Sequence, residues 1–225
     1  MRKNLTQNKA WRKVKLGKVA GVLGGFAFKS GWFNTRGVGF PAIKIQNING
    51  GSVNVANSEY VEVEKIKRDI SKFKIKKGDF LVAMTGATAG KVGLMVEDGT
   101  FYLNQRVGKF YAKDEKKLDP KYLYYSVVSS RNLALLKKLA DGSAQGNMSS
   151  SQIEDALEIS FPENPEDQKC IVDIISAFDD KIELNNKISK NLEQTAQAIF
   201  KEWFVKFKFP GHEKVKMVEI GRAHV

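Results

Sequence analysis

Between Ile171 and Trp203 apolar or small residues recur at steps of three and four on either side of one gap, as Ile171, Ile174/Ile175, Phe178 and Ile182, then Ile188, Leu192, Thr195/Ala196, Ile199 and Trp203. Lys, Glu, Asp, Asn and Gln fill the other positions, which is the pattern of an α-helix with one apolar stripe. The start is marked by Asn164 at a cap position, Pro165 at the first helical position, and Glu166 and Asp167 in the first turn. Neither Gly nor a second Pro follows until Pro210-Gly211. A single helix over 164–209 is therefore expected, roughly 60 Å long. Its stripe (Ile171, Ile175, Phe178, Ile182, Ile188, Leu192, Ile199, Trp203) needs a partner helix. Asn185 falls on a seam position. It reads either as a polar residue that sets register or as a solvated break between two shorter helices.

Upstream the period shortens to two. Phe40 to Ile48 alternates apolar and polar and predicts a strand, with Lys44 and Gln46 on its polar face. Val53 to Val63 predicts another extended stretch, and Glu64 to Phe73 a short helix. Phe80 to Met84 is a continuous apolar strand, followed by the small-residue loop Thr85-Gly86-Ala87-Thr88-Ala89-Gly90-Lys91. Strands are expected again over Val92–Val96, Phe101–Leu103 and Gly108–Tyr111. Asp119-Pro120 opens a helix, a second runs from Asn132 to Ala140, and a polar loop follows up to Ile153. A last strand covers Leu157 to Pro162. The expected fold class is α+β: a loose tail over 1–13, a β-rich domain over 14–163, the long coiled-coil-like helix over 164–209, and a tail over 210–225.

Composition sharpens this division. Of 225 residues, 37 are Lys or Arg and 25 Asp or Glu, a net charge of +12. Residues 1–160 hold 27 basic against 14 acidic residues, a net of +13, whereas residues 161–225 hold 10 against 11, a net of −1. The β-rich part is thus the basic part, which suits a polyanion, and the neutral arm suits protein. Lys72, Lys74, Lys76 and Lys77 also fit an ordinary solvated surface. The lone Cys170 excludes an internal disulfide framework and fits a reducing cytoplasm. With no apolar run long enough to span a bilayer, no membrane partner is expected.

Catalytic patterns are sparse. Gly86 to Lys91 is similar to a phosphate-binding loop but has three residues between its glycines, and Val92 stands where Ser or Thr would bind magnesium. It reads equally as a tight turn between buried strands. The two histidines, His212 and His224, lie beyond the predicted folded part, so no metal centre and no catalytic residue is expected. The residues favour a binding protein.

Several stretches in this order, Gly24–Ser30, Ile43–Ile48, Lys77–Lys91, Asn104–Val107, Tyr122–Tyr125 and Gly142–Ser149, resemble the target recognition domain of type I restriction–modification specificity subunits. The arm segments Pro165–Gln168, Asp179–Ile188, Asn191–Gln194 and Trp203-Phe204 resemble the spacer helix of that family. The resemblance implies a subunit with two recognition domains, each followed by a long helix, the helices pairing antiparallel. Each domain would read half of a bipartite site in double-stranded DNA. Methyltransferase subunits and a motor-nuclease subunit would be partners, and S-adenosylmethionine, ATP and magnesium would bind only on them. This chain carries one domain and one arm. Glu219 to Val225 matches the translation of a common sequencing adapter, so a truncated subunit is one expectation. A half-subunit that homodimerises through its arm is the other.

Expected DNA contacts are Lys29, Ser30, Lys44, Gln46, Thr85, Thr88, Lys91, Gln105, Arg106, Gln145 and Asn147. Asn, Gln and Arg can pair with base edges, and Lys and Thr more often hold phosphates. Two rival readings remain: the reader domain of a fused restriction–methylation enzyme, and a coiled-coil adaptor whose basic globule binds RNA or an acidic protein.

Overall fold

The structure, a computed structural model, describes residues 11–142 and 147–215. In chain order it contains β1 (Trp11–Lys15), α1 (Leu16–Val19), β2 (Ala20–Gly24), β3 (Phe33–Asn34), β4 (Phe40–Ile43), β5 (Gly51–Ser52) and β6 (Glu59–Val61). Then come β7 (Lys74–Ile75), β8 (Phe80–Ala83), β9 (Val92–Leu94), β10 (Phe101–Leu103) and β11 (Val107–Ala112). The C-terminal part holds α2 (Pro120–Val127), α3 (Ser130–Asp141), α4 (Ser150–Ala156), β12 (Glu158–Pro162) and α5 (Pro165–Phe200). The chain divides after Val172 into two units, so the first two turns of α5 belong to the body.

Two five-stranded sheets build the body, in orders β3-β6-β4-β10-β7 and β2-β11-β8-β9-β5, and β1 pairs with β12 as a separate antiparallel ribbon. The apolar run in β8 follows from burial on both faces. Phe80 and Val82 face the core that α2, α3, α4 and the ribbon cover, and Leu81 and Ala83 face a second core shared with Ile43, Ile75, Phe101 and Leu103. Strand β10 alternates likewise: Phe101 and Leu103 enter the second core, while Tyr102 enters a third with Phe28, Ala42 and Val61. The layers are therefore helices, sheet, core, sheet and an aromatic cluster. The α+β class read from the sequence is the class observed.

Caps hold where local chemistry dictated them. The Asp119 carboxylate accepts from Tyr122 N at 2.9 Å ahead of Pro120, and Asn164 Oδ1 accepts from Glu166 N at 3.2 Å. Helix α4, absent from the sequence reading, starts at a capping box in which Ser149 and Gln152 satisfy each other's backbone N–H groups.

Other expectations need correction. The strand expected over Phe40 to Ile48 stops at Ile43, because Asn47 Oδ1 accepts from Lys44 N at 2.8 Å and turns Ile45–Asn47 into a 3₁₀ segment. Asn47 is buried, and its amide also donates to Asn54 O at 2.8 Å. The helix expected over Glu64 to Phe73 is instead two 3₁₀ turns, Val63–Lys65 and Ser71–Phe73, between which Ile66 and Ile70 insert into the aromatic cluster. Trp11 to Lys13, expected in the loose tail, are paired in β1 opposite Ser160, Phe161 and Pro162. The long helix is α-helical only to Phe200, and Lys201–Val205 winds as a π turn.

The ribbon carries a charge cluster. Glu158 meets Lys13 at 3.2 Å, Lys15 at 3.7 Å and Arg131 at 2.5 Å. The hydrogen bond from Lys13 holds this carboxyl below the usual carboxylate range against the effect of burial, and the charges of Lys13, Arg131 and Lys15 add to it.

Candidate nucleic-acid interface

Four distant segments converge where β8 ends. Met84 N donates to Arg106 O at 3.0 Å, which ties the turn between β10 and β11 to the start of the glycine-rich loop. Met84 O accepts from Met148 N at 2.8 Å, which brings Asn147 alongside. Within the loop, the Thr88 hydroxyl donates to Ile45 O at 3.0 Å and draws in the 3₁₀ segment that carries Gln46. Gln46, Gln105, Arg106 and Asn147 are exposed at this corner. Their amides and guanidinium can pair with donors and acceptors on base edges.

Two threonines play different parts. Thr85 is 8% exposed, and its hydroxyl accepts from the Arg106 guanidinium at 3.4 Å. It orients Arg106 from below. Thr88 is half-buried, and its hydroxyl proton is already committed to Ile45. Glycines allow the close packing: Gly86 and Gly90 have φ of 77° and 82°, and a Cβ on Gly90 would sit 3.0 Å from Leu136 O.

The remaining expected contacts are dispersed. Lys44 pairs with Glu59 at 2.8 Å and lies 3.9 Å from the Phe33 ring, so its charge is engaged inside the protein. Lys29 and Ser30 are exposed beside the aromatic cluster, with Lys29 Nζ 5.4 Å from the Trp32 ring. Lys91 is exposed and lines a cleft of about 480 Å³ with Tyr124, Leu133, Lys137 and Asp141. Gln145 lies outside the described residues. Phe28 is buried, and Phe26 packs on it at 4.9 Å, so these rings serve the core. Tyr124 does the same against Phe80 at 5.4 Å.

The arm presents a different surface. Ile171 packs half-buried against the body. Beyond Val172 the stripe is open: Phe178 is 66% exposed, Ile182 57% and Leu192 65%, and Ile175, Ile188, Ile199 and Trp203 are exposed too. Phe200 and Phe204 stack at 5.2 Å across the π turn. No helix among the described residues is long and apolar enough to cross a membrane.

Comparison with known proteins decides the family. Residues 8–194 match the type I restriction modification DNA specificity domain. The chain belongs to that family. It is 32% identical over 165 residues to the type I restriction enzyme HindI specificity subunit of Haemophilus influenzae, covering 71% of this chain and 35% of that one. It is 30% identical over 182 residues to the MjaIX specificity subunit of Methanocaldococcus jannaschii, covering 75% and 40%. The crystal structure of a type I restriction–modification S subunit from M. genitalium superposes with a TM-score of 0.63 at 23% identity, covering 93% of this chain and 50% of that chain. That likeness supports the fold. The chain spans half or less of the length of each of these relatives.

The sequence reading missed Asn47, the Thr85–Arg106 bond and the Lys44–Glu59 pair. Each joins residues whose partners depend on strand pairing or a turn, and no local pattern marks them.

Proposed function

We propose that this chain is a sequence-specific reader of double-stranded DNA that recognises one half of a bipartite site. The observation that carries the reading is the convergence of Gln46, Gln105, Arg106 and Asn147 on one exposed corner of a unit whose sequence is strongly basic. Exposed amide and guanidinium groups held by backbone bonds suit base-edge readout, and the excess of basic residues in this unit suits phosphates. Family membership adds support. The chain leaves chemistry to others: methyltransferase subunits dock on it and use S-adenosylmethionine, and a motor-nuclease subunit brings ATP and magnesium. The open stripe on α5 receives the arm of a second recognition half, in cis or from another copy.

Selection of bound duplexes from a random pool by the purified chain, at two salt concentrations, tests the function. The expected result is a motif of a few base pairs with affinity falling steeply as salt rises. Arg106→Ala should relax preference at one position by about 1–3 kcal/mol, whereas Lys91→Ala should weaken all duplexes alike. No enrichment, even with the methyltransferase partner present, would remove the DNA reading and promote the RNA- or protein-binding adaptor.

A further inference from the structure

Between β3 and β4 the chain makes a short exposed loop, Asn34 to Gly39, that passes from one side of β6 to the other. One side chain holds it in shape. Asn34 Oδ1 accepts from Arg36 N at 3.2 Å and Val38 N at 3.1 Å, while its amide donates to Val38 O at 2.9 Å and Tyr60 O at 3.3 Å. Gly37 and Gly39 take φ of 77° and 92°, and a Cβ on Gly39 would lie 2.2 Å from Val61 O. The loop is thus built to one conformation. At its tip stand exposed Thr35 and Arg36, and the Arg36 guanidinium makes no ion pair or hydrogen bond among the described residues. A preorganised loop that presents an unpaired guanidinium to solvent is arranged for an external anion.

The fold sets how far the base of this loop stands from the base-reading corner. Strand β4 runs from Phe40, next to the loop, to Ile43, and Leu103 pairs beside Ile43 just before the Asn104–Arg106 turn. Four strand residues separate the two places by about 13 Å. The major groove of B-form DNA is about 12 Å wide. A corner seated in the groove would therefore leave this loop over the phosphates at its edge. Beyond the function proposed above, on which this rests, we infer that Arg36, held by Asn34, clamps the sugar–phosphate backbone flanking the half-site. The guanidinium fork matches two phosphate oxygens. Such a contact fixes the register of the reader without itself reading sequence.

The test measures binding of the full chain to its selected duplex and to a scrambled duplex across a salt series. Arg36→Ala is expected to weaken both duplexes by the same factor, about tenfold near 0.1 M salt, and to reduce the salt slope by about one. Arg36→Lys should keep the slope and lose part of the affinity. Asn34→Ala, which keeps the charge but frees the loop, should weaken both duplexes with the slope retained. Unchanged binding and slope in Arg36→Ala, with the wild type selective, would overturn the clamp and leave the DNA reading intact. Loss confined to the selected duplex would also overturn it, making Arg36 a base reader. A wild type that binds neither duplex, even with the methyltransferase partner, would remove the reading and the clamp together.

Discussion

At the scale of single residues, buried amides do work that the charged surface does not. Gln168 is fully buried, accepts from Asp119 N at 2.9 Å, and donates to Lys117 O at 2.8 Å and Pro162 O at 2.9 Å. One side chain thereby joins the first turns of α5, the start of α2 and the end of β12. Gln168→Ala would leave three backbone groups without partners, and each buried orphan costs about 1–3 kcal/mol. The expected loss is about 2–4 kcal/mol, read as a lower urea midpoint with an unchanged slope. A loss below about 1 kcal/mol would show that the site relaxes or hydrates instead. The motif around Gln168 was legible in the sequence, but this bonding was not, because its partners lie at residues 117, 119 and 162.

At the scale of elements, the reading corner depends on how closely two backbones approach. Gly25 N donates to Val107 O at 3.0 Å and Phe26 N to Leu103 O at 2.8 Å, so this segment lies along the Asn104–Arg106 turn. A Cβ on Gly25 would lie 2.2 Å from Asn104 O, a clash with backbone that no side-chain rotation relieves. Gly25→Ala should cost about 1–3 kcal/mol in stability and displace Gln105 and Arg106. The ratio of binding to selected and scrambled duplexes should fall, in addition to the melting temperature. Gly31→Ala, where a Cβ would meet nothing within 4 Å, is the control and should change neither. A retained ratio in Gly25→Ala would separate this turn from recognition.

At the scale of the whole molecule, the matter is what covers the arm. A stripe this open on a helix of 36 residues requires an apolar partner. If a second copy supplies it, sedimentation should show a dimer at micromolar concentration. Phe178→Asp with Leu192→Asp should then weaken association by about a hundredfold or more, since each buried apolar side chain is worth about 1.5–3 kcal/mol. The melting of the body should change little, because neither position belongs to its cores. A monomer at tens of micromolar would direct attention to a recognition half supplied in cis.

The sequence by itself determined what is encoded within a turn or two of chain. The start and stripe of α5, the caps at Asp119 and Asn164, the buried strand β8 and the segregation of positive charge all follow from spacing and residue type. Tertiary structure decided the rest. Ile66 and Ile70 left the expected helix for the aromatic cluster, and Asn47, whose bond to Lys44 N three residues back ends the strand, is buried and also donates to Asn54 O. Lys44 and Gln46, two residues apart, parted company: one pairs with Glu59 and the other stands exposed beside the glycine-rich loop. The corner itself joins segments separated by some 20 to 60 residues through the Met84, Arg106 and Met148 backbones. Pairing between distant strands follows from burial summed over the whole chain. Local periodicity carries no record of that sum.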